Sequence, residues 1–152
     1  MIKEITDEVL KSEICKEVLS DLPEWFGIEE SLNMYISEVK KYPMFAYYDN
    51  CCLCGFYSLR RENIETLDMY VLGVKKKYHH QGIGSKLQKE VNKYALSNGY
   101  KQLIVLTLSD KHPDINYKKT REFYLKQGFK PLYESDKIWG KDNPTLVMFK
   151  NV

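Results

Sequence analysis

A strand, a basic turn and an amphipathic helix follow one another within residues 66–87. The apolar residues of 67–74 predict a buried or half-buried strand. Gly82 and Gly84 stand at the start of the helix, where unpaired N–H groups and a partial positive charge favour phosphate. Three lysines at 75–77 add positive charge just upstream. The stretch therefore predicts a pyrophosphate site. The residues that define the helix face recur four positions apart: Ile83, Leu87, Val91 and Ala95.

Spacing distinguishes three kinds of phosphate-binding loop. A Walker loop needs G-x-x-x-x-G-K-[ST], and no glycine of this stretch begins one. A dinucleotide-binding turn needs G-x-G-x-x-G/A directly after its strand, but Leu87 stands at the third position and seven residues separate Val74 from Gly82. What remains is an x-x-G-x-G turn. The alternative interpretation is a glycine-flanked helix start that binds no ligand.

Hydropathy patterning predicts a strand, two helices, three strands, a helix, a strand, a helix and two closing strands. The 152 residues, with 43% hydrophobic and 29% charged side chains, fit one soluble domain over 1–152. The four cysteines have neither zinc-site nor disulfide spacing, so we expect reduced, buried or half-buried thiols and no metal. The predicted elements span 1–6, 7–22, 28–42, 44–48, 51–59, 66–74, 83–98, 101–108, 117–127, 129–133 and 145–150.

The turn resembles the cofactor motif of the Gcn5-related N-acetyltransferases, the GNAT superfamily, because LGV ends the strand and YHHQGIG leads into the helix. His79 stands where that family usually has Arg or Gln. TREFYLKQGF, from Thr120 to Phe129, is similar to the family pattern A-x-x-F-Y-x-x-x-G-F, with Thr120 in place of Ala. Tyr117 replaces a common Asn, and Asn116 lies one place early. The order of elements extends the resemblance to nearly the whole chain.

The resemblance implies an α+β acyl-CoA N-acyltransferase fold, with a central, mostly antiparallel sheet of about seven strands and about four helices. It also implies acetyl-CoA as cosubstrate and direct acetyl transfer to a primary amine of a small molecule or peptide. A catalytically silent module that only binds acetyl-CoA is the alternative. The cofactor-binding residues implied are Leu72, Val74, His79, His80, Gln81, Gly82, Ile83, Gly84, Ser85, Asn116, Tyr117 and Tyr124.

Two residues are candidates for proton transfer. An amine with a pKa of about 10 must lose a proton before it attacks a thioester, and a nearby carboxylate can take it. Asp68 lies where many relatives resembling this chain carry Glu, and strand alternation puts it on one face with Tyr70, Leu72 and Val74 unless a bulge intervenes. By resemblance, the Val74 N–H stabilises the attacked carbonyl and Tyr124 protonates the departing thiolate. The alternatives are a hydrogen-bonding aspartate and a core tyrosine.

The formal charge divides the chain. Residues 1–70 hold 7 Lys and Arg against 14 Asp and Glu, whereas residues 71–152 hold 16 against 7. A cationic amine would suit the acidic half, and a phosphate-rich cofactor would suit the basic half. The alternative is that the two halves form solvated surfaces that merely differ in charge. The lysines lack aromatic interleaving, which disfavours a nucleic-acid partner.

No apolar run reaches the roughly 20 residues of a membrane span, and the N-terminus does not resemble a signal peptide. We therefore expect a cytoplasmic protein without a membrane partner. The sequence leaves open whether it forms a homodimer, which amine it acetylates, and whether the base is Asp68, a relayed water or another carboxylate. His112 lies after a buried strand, and no second feature supports a catalytic role for it.

Overall fold

The computed structural model describes all 152 residues and contains seven strands and five α-helices. The mixed α+β class predicted from the sequence is confirmed. The strands are β1 (Ile2–Ile5), β2 (Met44–Asp49), β3 (Cys52–Arg61), β4 (Thr66–Val74), β5 (Gln102–Leu108), β6 (Lys130–Ser135) and β7 (Thr145–Asn151). The helices are α1 (Glu8–Ser20), α2 (Pro23–Phe26), α3 (Glu29–Glu38), α4 (Ile83–Ser97) and α5 (Ile115–Lys126).

The strands form one sheet in the order β1-β2-β3-β4-β5-β7-β6. Its ladders are antiparallel for β1–β2, β2–β3, β5–β7 and β6–β7, and parallel for β4–β5. The parallel ladder is short and covers only Thr66–Asp68, which pair with residues 102–104. The prediction of a mostly antiparallel sheet is therefore confirmed.

The chain divides into two compact units. The first comprises residues 1–60 and 69–94, and the second comprises 61–68 and 95–152. Strand β4 contributes to both, since its paired start lies in the second unit and its remainder in the first. One domain over the whole chain stays a prediction.

In the first unit, one face of β2 and β3 packs against α1. Met44, Ala46 and Phe56 are fully buried and join a core cluster with Val18 and Leu19 of α1. These side chains alternate along their strands, so a single face of the sheet supplies them. Burial of this apolar face is the main favourable contribution to the stability of the unit.

The opposite face of the same strands packs against α4. The Phe45 ring lies 5.4 Å from the Tyr94 ring, and the Tyr57 hydroxyl donates to Gln88 Oε1 at 3.0 Å. Gln88, fully buried on α4, also reaches Met69 Sδ of β4 at 3.6 Å. The four-residue ladder predicted for α4 is buried as expected: Ile83, Leu87, Val91 and Ala95.

The second unit is built on β5, which is flanked by β7 and contacts α5. Leu103 and Val105 of β5 are buried, as are Val147 and Met148 of β7. Arg121 of α5 donates from Nη1 to the carbonyl of Leu108 at 2.7 Å, which ties the helix to the end of β5.

Three local expectations differ from the structure. The PEWFG turn forms α2 instead, with Pro23 in the first turn where a missing N–H costs nothing. The hairpin turn lies one residue later than expected, because Asn50 and Cys51 have φ of 46° and 68°. Helix α5 starts at Ile115 because the Asp114 carboxylate accepts from the first-turn N–H groups.

The four cysteines are all free. Cys15 and Cys54 are buried as expected, and burial raises the pKa of the Cys15 thiol to about 12. Cys51 and Cys52 are exposed, contrary to that expectation, because the hairpin turn holds them at its tip. None of the helices is both long and apolar enough to cross a membrane.

Gly73→Ala should lower the free energy of unfolding by about 1–3 kcal/mol, because the added methyl would lie 2.8 Å from Val18 Cγ1. Urea denaturation measures the loss. Val18→Ala removes the opposing methyl, so the double variant should be more stable than the sum of the two single losses predicts. Strict additivity would contradict this close packing of α1 on β4.

Candidate cofactor and active site

The side-chain alternation of β4 reverses inside the first unit. Met69 faces α4, whereas Val71 belongs to the α1 cluster and a Cβ on Gly73 would point at Val18. In a regular strand these three odd-numbered residues would share one face. The reversal is the signature of a β-bulge, which re-aims side chains and is common beside active sites. The bulge that the sequence left open is therefore present, and Asp68 through Val74 do not share one uninterrupted face.

The residues after β4 form a closed loop. The Lys75 N–H donates to the Cys54 carbonyl at 2.8 Å, which pairs the end of β4 with β3. Residues 76–78 make a 3₁₀ turn, and Gln81 Nε2 donates to the Lys77 carbonyl at 3.2 Å. His80 then adopts a left-handed φ of 62°, which is uncommon for a residue with a side chain. These features fix the path of the chain into α4.

The start of α4 carries the two glycines on which the prediction of a phosphate site rests. Gly82 has a φ of 77°, and its carbonyl accepts the first helical hydrogen bond, from the Lys86 N–H at 3.1 Å. A Cβ on Gly82 would meet no atom within 4 Å, so this side of the turn is open. The N–H groups of Ile83 and Gly84 belong to the first turn, where no carbonyl of the helix can accept from them. This geometry suits an anion.

The lysines at 75–77 are expected to add positive charge to the phosphate site, but the structure places two of them against carboxylates. Lys75 Nζ lies 3.1 Å from Glu17, and Lys76 Nζ lies 2.6 Å from Glu24. The hydrogen bond from Lys76, reinforced by its charge, lowers the pKa of the Glu24 carboxyl. Two of the three lysines are thus paired with carboxylates of α1 and α2. The sequence could not reveal these long-range pairs, and they leave the first-turn backbone N–H groups as the main feature on which the predicted phosphate site rests.

The His79 ring is directed towards the end of β4 and towards α2. Its Nε2 lies 2.6 Å from the carbonyl oxygen of Val74, and its ring meets Trp25 of α2 edge-on, with centroids 6.0 Å apart. A carbonyl oxygen can only accept, so Nε2 carries the proton. The side chain that replaces the usual Arg or Gln therefore closes the loop onto the end of β4.

The predicted base lies in the second unit. Asp68 is 3% exposed and pairs in register with Ile104 of β5. Removing a carboxylate from water is costly unless it is hydrogen-bonded or paired, and Asp68 does interact with its surroundings. Its burial is compatible with a proton acceptor and with a structural aspartate alike.

The predicted acid lies on α5 of the same unit. Tyr124 is 5% exposed, and its ring packs edge-on against Phe123 and Phe129 at 5.4 and 5.5 Å. Asn116 and Tyr117 are half-buried in the first turn of α5. Sequence reasoning thus found the helix that carries these residues, but not the Asp114 cap that sets its start.

Sequence reasoning missed a polar network beside the loop of residues 109–113. Ser109 is fully buried and donates to Glu134 Oε1 at 2.9 Å, while Lys111 Nζ lies 2.8 Å from the other carboxylate oxygen. Lys111, then Ser109, lower the pKa of the Glu134 carboxyl. Clefts of about 670 and 540 Å³ flank this loop, and His112 lines both. No sequence pattern links positions 25 residues apart.

Comparison with known proteins identifies the family. Residues 40–131 match the family model of the acetyltransferase (GNAT) domain, which is more than half of the chain. The chain belongs to the GNAT acetyltransferases. The matched region contains β4, the closed loop, α4 and all of α5. No curated protein sequence matches this GNAT chain closely enough to extend the comparison.

Solved structures show the same fold. A putative GNAT acetyltransferase from Desulfovibrio desulfuricans is 15% identical with a TM-score of 0.84, covering 99% of this chain and 98% of its own. Aminoglycoside 6'-N-acetyltransferase from Enterococcus faecium is 22% identical with a TM-score of 0.73, covering 99% and 96%. A GNAT acetyltransferase from Elizabethkingia anophelis with acetyl-CoA bound is 21% identical with a TM-score of 0.67, covering 86% and 88%. At these identities the similarity concerns the fold alone.

Proposed function

We propose that this GNAT protein transfers an acetyl group from acetyl-CoA to a primary amine of a small molecule by direct attack. The observation that carries the proposal is the start of α4, where Gly82 is open to a ligand and the first-turn N–H groups follow it. A pyrophosphate is the ligand that this geometry and the GNAT family together favour. The Elizabethkingia structure, with acetyl-CoA bound, supports the choice of cofactor.

In this reaction the protonated amine must lose two protons and the leaving thiolate must gain one. The protonated amine first gives a proton to Asp68, directly or through a water, and its nitrogen then attacks the thioester carbonyl. Negative charge develops on the carbonyl oxygen, and the Val74 N–H stabilises it. Collapse of this intermediate breaks the carbon–sulfur bond. Tyr124 protonates the departing thiolate, at a small energetic cost because phenol and thiol pKa values are similar. The nitrogen loses its second proton as the amide forms, and this proton restores the Tyr124 hydroxyl through solvent.

We propose a cationic acceptor. The acidic balance of residues 1–70 favours a positively charged substrate. Half-buried rings of the first unit also offer faces to a cation, as Tyr70 already does for the Arg60 guanidinium at 4.8 Å. Aminoglycoside acetyltransferases among the similar structures support a polyamine-like small molecule.

A panel of amines tests the function directly. Release of the coenzyme A thiol from acetyl-CoA is followed with each amine, and mass spectrometry identifies the acetylated product. We expect turnover with at least one cationic primary amine. Acetyl-CoA binding without turnover on any amine would favour the catalytically silent module.

The cofactor should stabilise the folded protein by mass action. Acetyl-CoA at 100 times its Kd should add about 2.7 kcal/mol and raise the melting temperature. Gly84→Val should abolish this shift, because a branched side chain in the first turn would occupy the phosphate position. Gly84→Ala is the smaller matched change and should weaken the shift less. No shift with the parent protein at millimolar acetyl-CoA would refute both the enzyme and the binding module.

Tyr124→Phe should lower kcat by about 10²–10⁴-fold, the usual contribution of general acid catalysis, and leave acetyl-CoA binding nearly unchanged. The phenylalanine ring retains the packing against Phe123 and Phe129. Phe123→Leu is a neighbouring control that alters packing and keeps the hydroxyl. Equal kcat in Tyr124→Phe and the parent would make Tyr124 a packing residue.

Asp68→Asn should be slow at neutral pH and recover partly at high pH, where solvent already deprotonates the amine. The change keeps the shape of the buried side chain and removes its basic charge. Melting temperature and the pH–rate curve are measured together. A structural aspartate would instead give lower stability with an unchanged pH profile per folded molecule.

A further inference from the structure

The Val74 peptide groups lie at an unpaired edge of the first unit. The Lys75 N–H points at β3, since it donates to the Cys54 carbonyl. The N–H and C=O groups of successive strand residues alternate between the two edges, so those of Val74 point away from β3. The ladder with β5 ends at Asp68 and does not reach this part of β4. Val74 therefore presents one donor and one acceptor without a strand partner.

The His79 side chain hydrogen-bonds to the acceptor, which is the Val74 carbonyl. Its Nε2–H donates to the Val74 carbonyl at 2.6 Å, a short hydrogen bond that holds Val74 in its extended conformation. The N–H group of the same residue then stays directed at the same edge. Because the ring occupies only the carbonyl, the donor remains available for an incoming acceptor.

The position of the His79 ring is fixed from several sides. Trp25 of α2 meets the ring edge-on. The loop that carries His79 is anchored to the same region, because the Lys76 N–H donates to Asp21 Oδ2 at 2.8 Å and Lys76 Nζ pairs with Glu24. The imidazole is thus held against β4 by packing and by neighbouring charges, as a preorganised positioning group requires.

We propose that His79 is a positioning residue that keeps the Val74 N–H aimed at the acetyl carbonyl, and that its side chain is not a phosphate ligand. This inference rests on the proposed function, because it assigns the Val74 donor to the thioester. It gives a role to the histidine that stands where relatives usually carry Arg or Gln. It also predicts that substitution of His79 weakens the polarisation of the acetyl carbonyl and leaves the affinity for coenzyme A nearly unchanged.

Isotope-edited infrared spectroscopy of acetyl-CoA labelled with ¹³C at the carbonyl measures the hydrogen bond from the Val74 N–H to that carbonyl. The measurement needs no amine substrate. The parent protein should shift the carbonyl stretch to lower wavenumber on binding. In His79→Leu the shift should fall to about half or less, because an unheld donor polarises the carbonyl less. His79→Gln should restore most of the shift, since its amide N–H can replace the imidazole donor. His112→Leu is the matched control, because this histidine lies outside the loop that carries His79, and it should keep the full shift.

Binding of coenzyme A, which lacks the acetyl group, separates the two roles of His79. Its Kd should stay within about threefold in every variant, because the backbone phosphate seat is intact. A salt-dependent loss of coenzyme A affinity above about tenfold in His79→Leu would instead make His79 a phosphate ligand. A full carbonyl shift in folded His79→Leu, or no recovery in His79→Gln, would also overturn the proposal.

The parent protein provides a test that no folding defect can affect. ¹⁵N NMR of the imidazole should show the His79 proton on Nε2 at neutral pH, and a proton on Nδ1 alone would overturn the hydrogen bond to Val74. If the parent protein fails to bind acetyl-CoA while this tautomer is found, the proposed function fails and the His79–Val74 contact stands.

Discussion

The first turn of α4 has N–H groups that its own carbonyls cannot satisfy, and contacts of β4 and of the loop after it fix the path of the chain into this turn. The α1 helix packs so closely on β4 that a Cβ at position 73 would lie 2.8 Å from Val18 Cγ1. The strand end is tied to β3 through Lys75, and the loop then returns through His79 to Val74. A ligand that completes the hydrogen bonds of this turn gains from geometry that folding has already fixed.

The composition of the loop suggests that its three lysines attract phosphate, but the structure pairs two of them with carboxylates. Lys75 and Lys76 pair with carboxylates of α1 and α2, so their charges hold the loop to the helices. In the proposed site, the attraction for a phosphate would then come mainly from oriented backbone dipoles, which need no flexible side chain. Such a site would keep its shape when a surface lysine moves, and it would depend strongly on glycine at the turn.

The order of elements and the buried face of α4 could be predicted because hydrophobic periodicity is local and strong there. The reversal of alternation between Met69 and Val71 could not, since a bulge depends on how neighbouring strands pair. The same holds for the pairing of Lys76 with Glu24 and of Ser109 with Glu134, which join residues far apart in sequence. The roles of Asp68 and Tyr124 stay predictions, because burial alone suits a catalytic and a structural side chain equally.

We propose that backbone N–H groups at the end of β4 and the start of α4 bind the cofactor. A titration of ¹⁵N-labelled protein with coenzyme A, followed by amide NMR, tests this proposal. The largest chemical-shift changes should fall on the amides of Val74 and of residues 82–85, while the amides of the 109–113 loop should change little. Large changes confined to that loop, or no changes at saturating coenzyme A, would show that these N–H groups do not bind the cofactor.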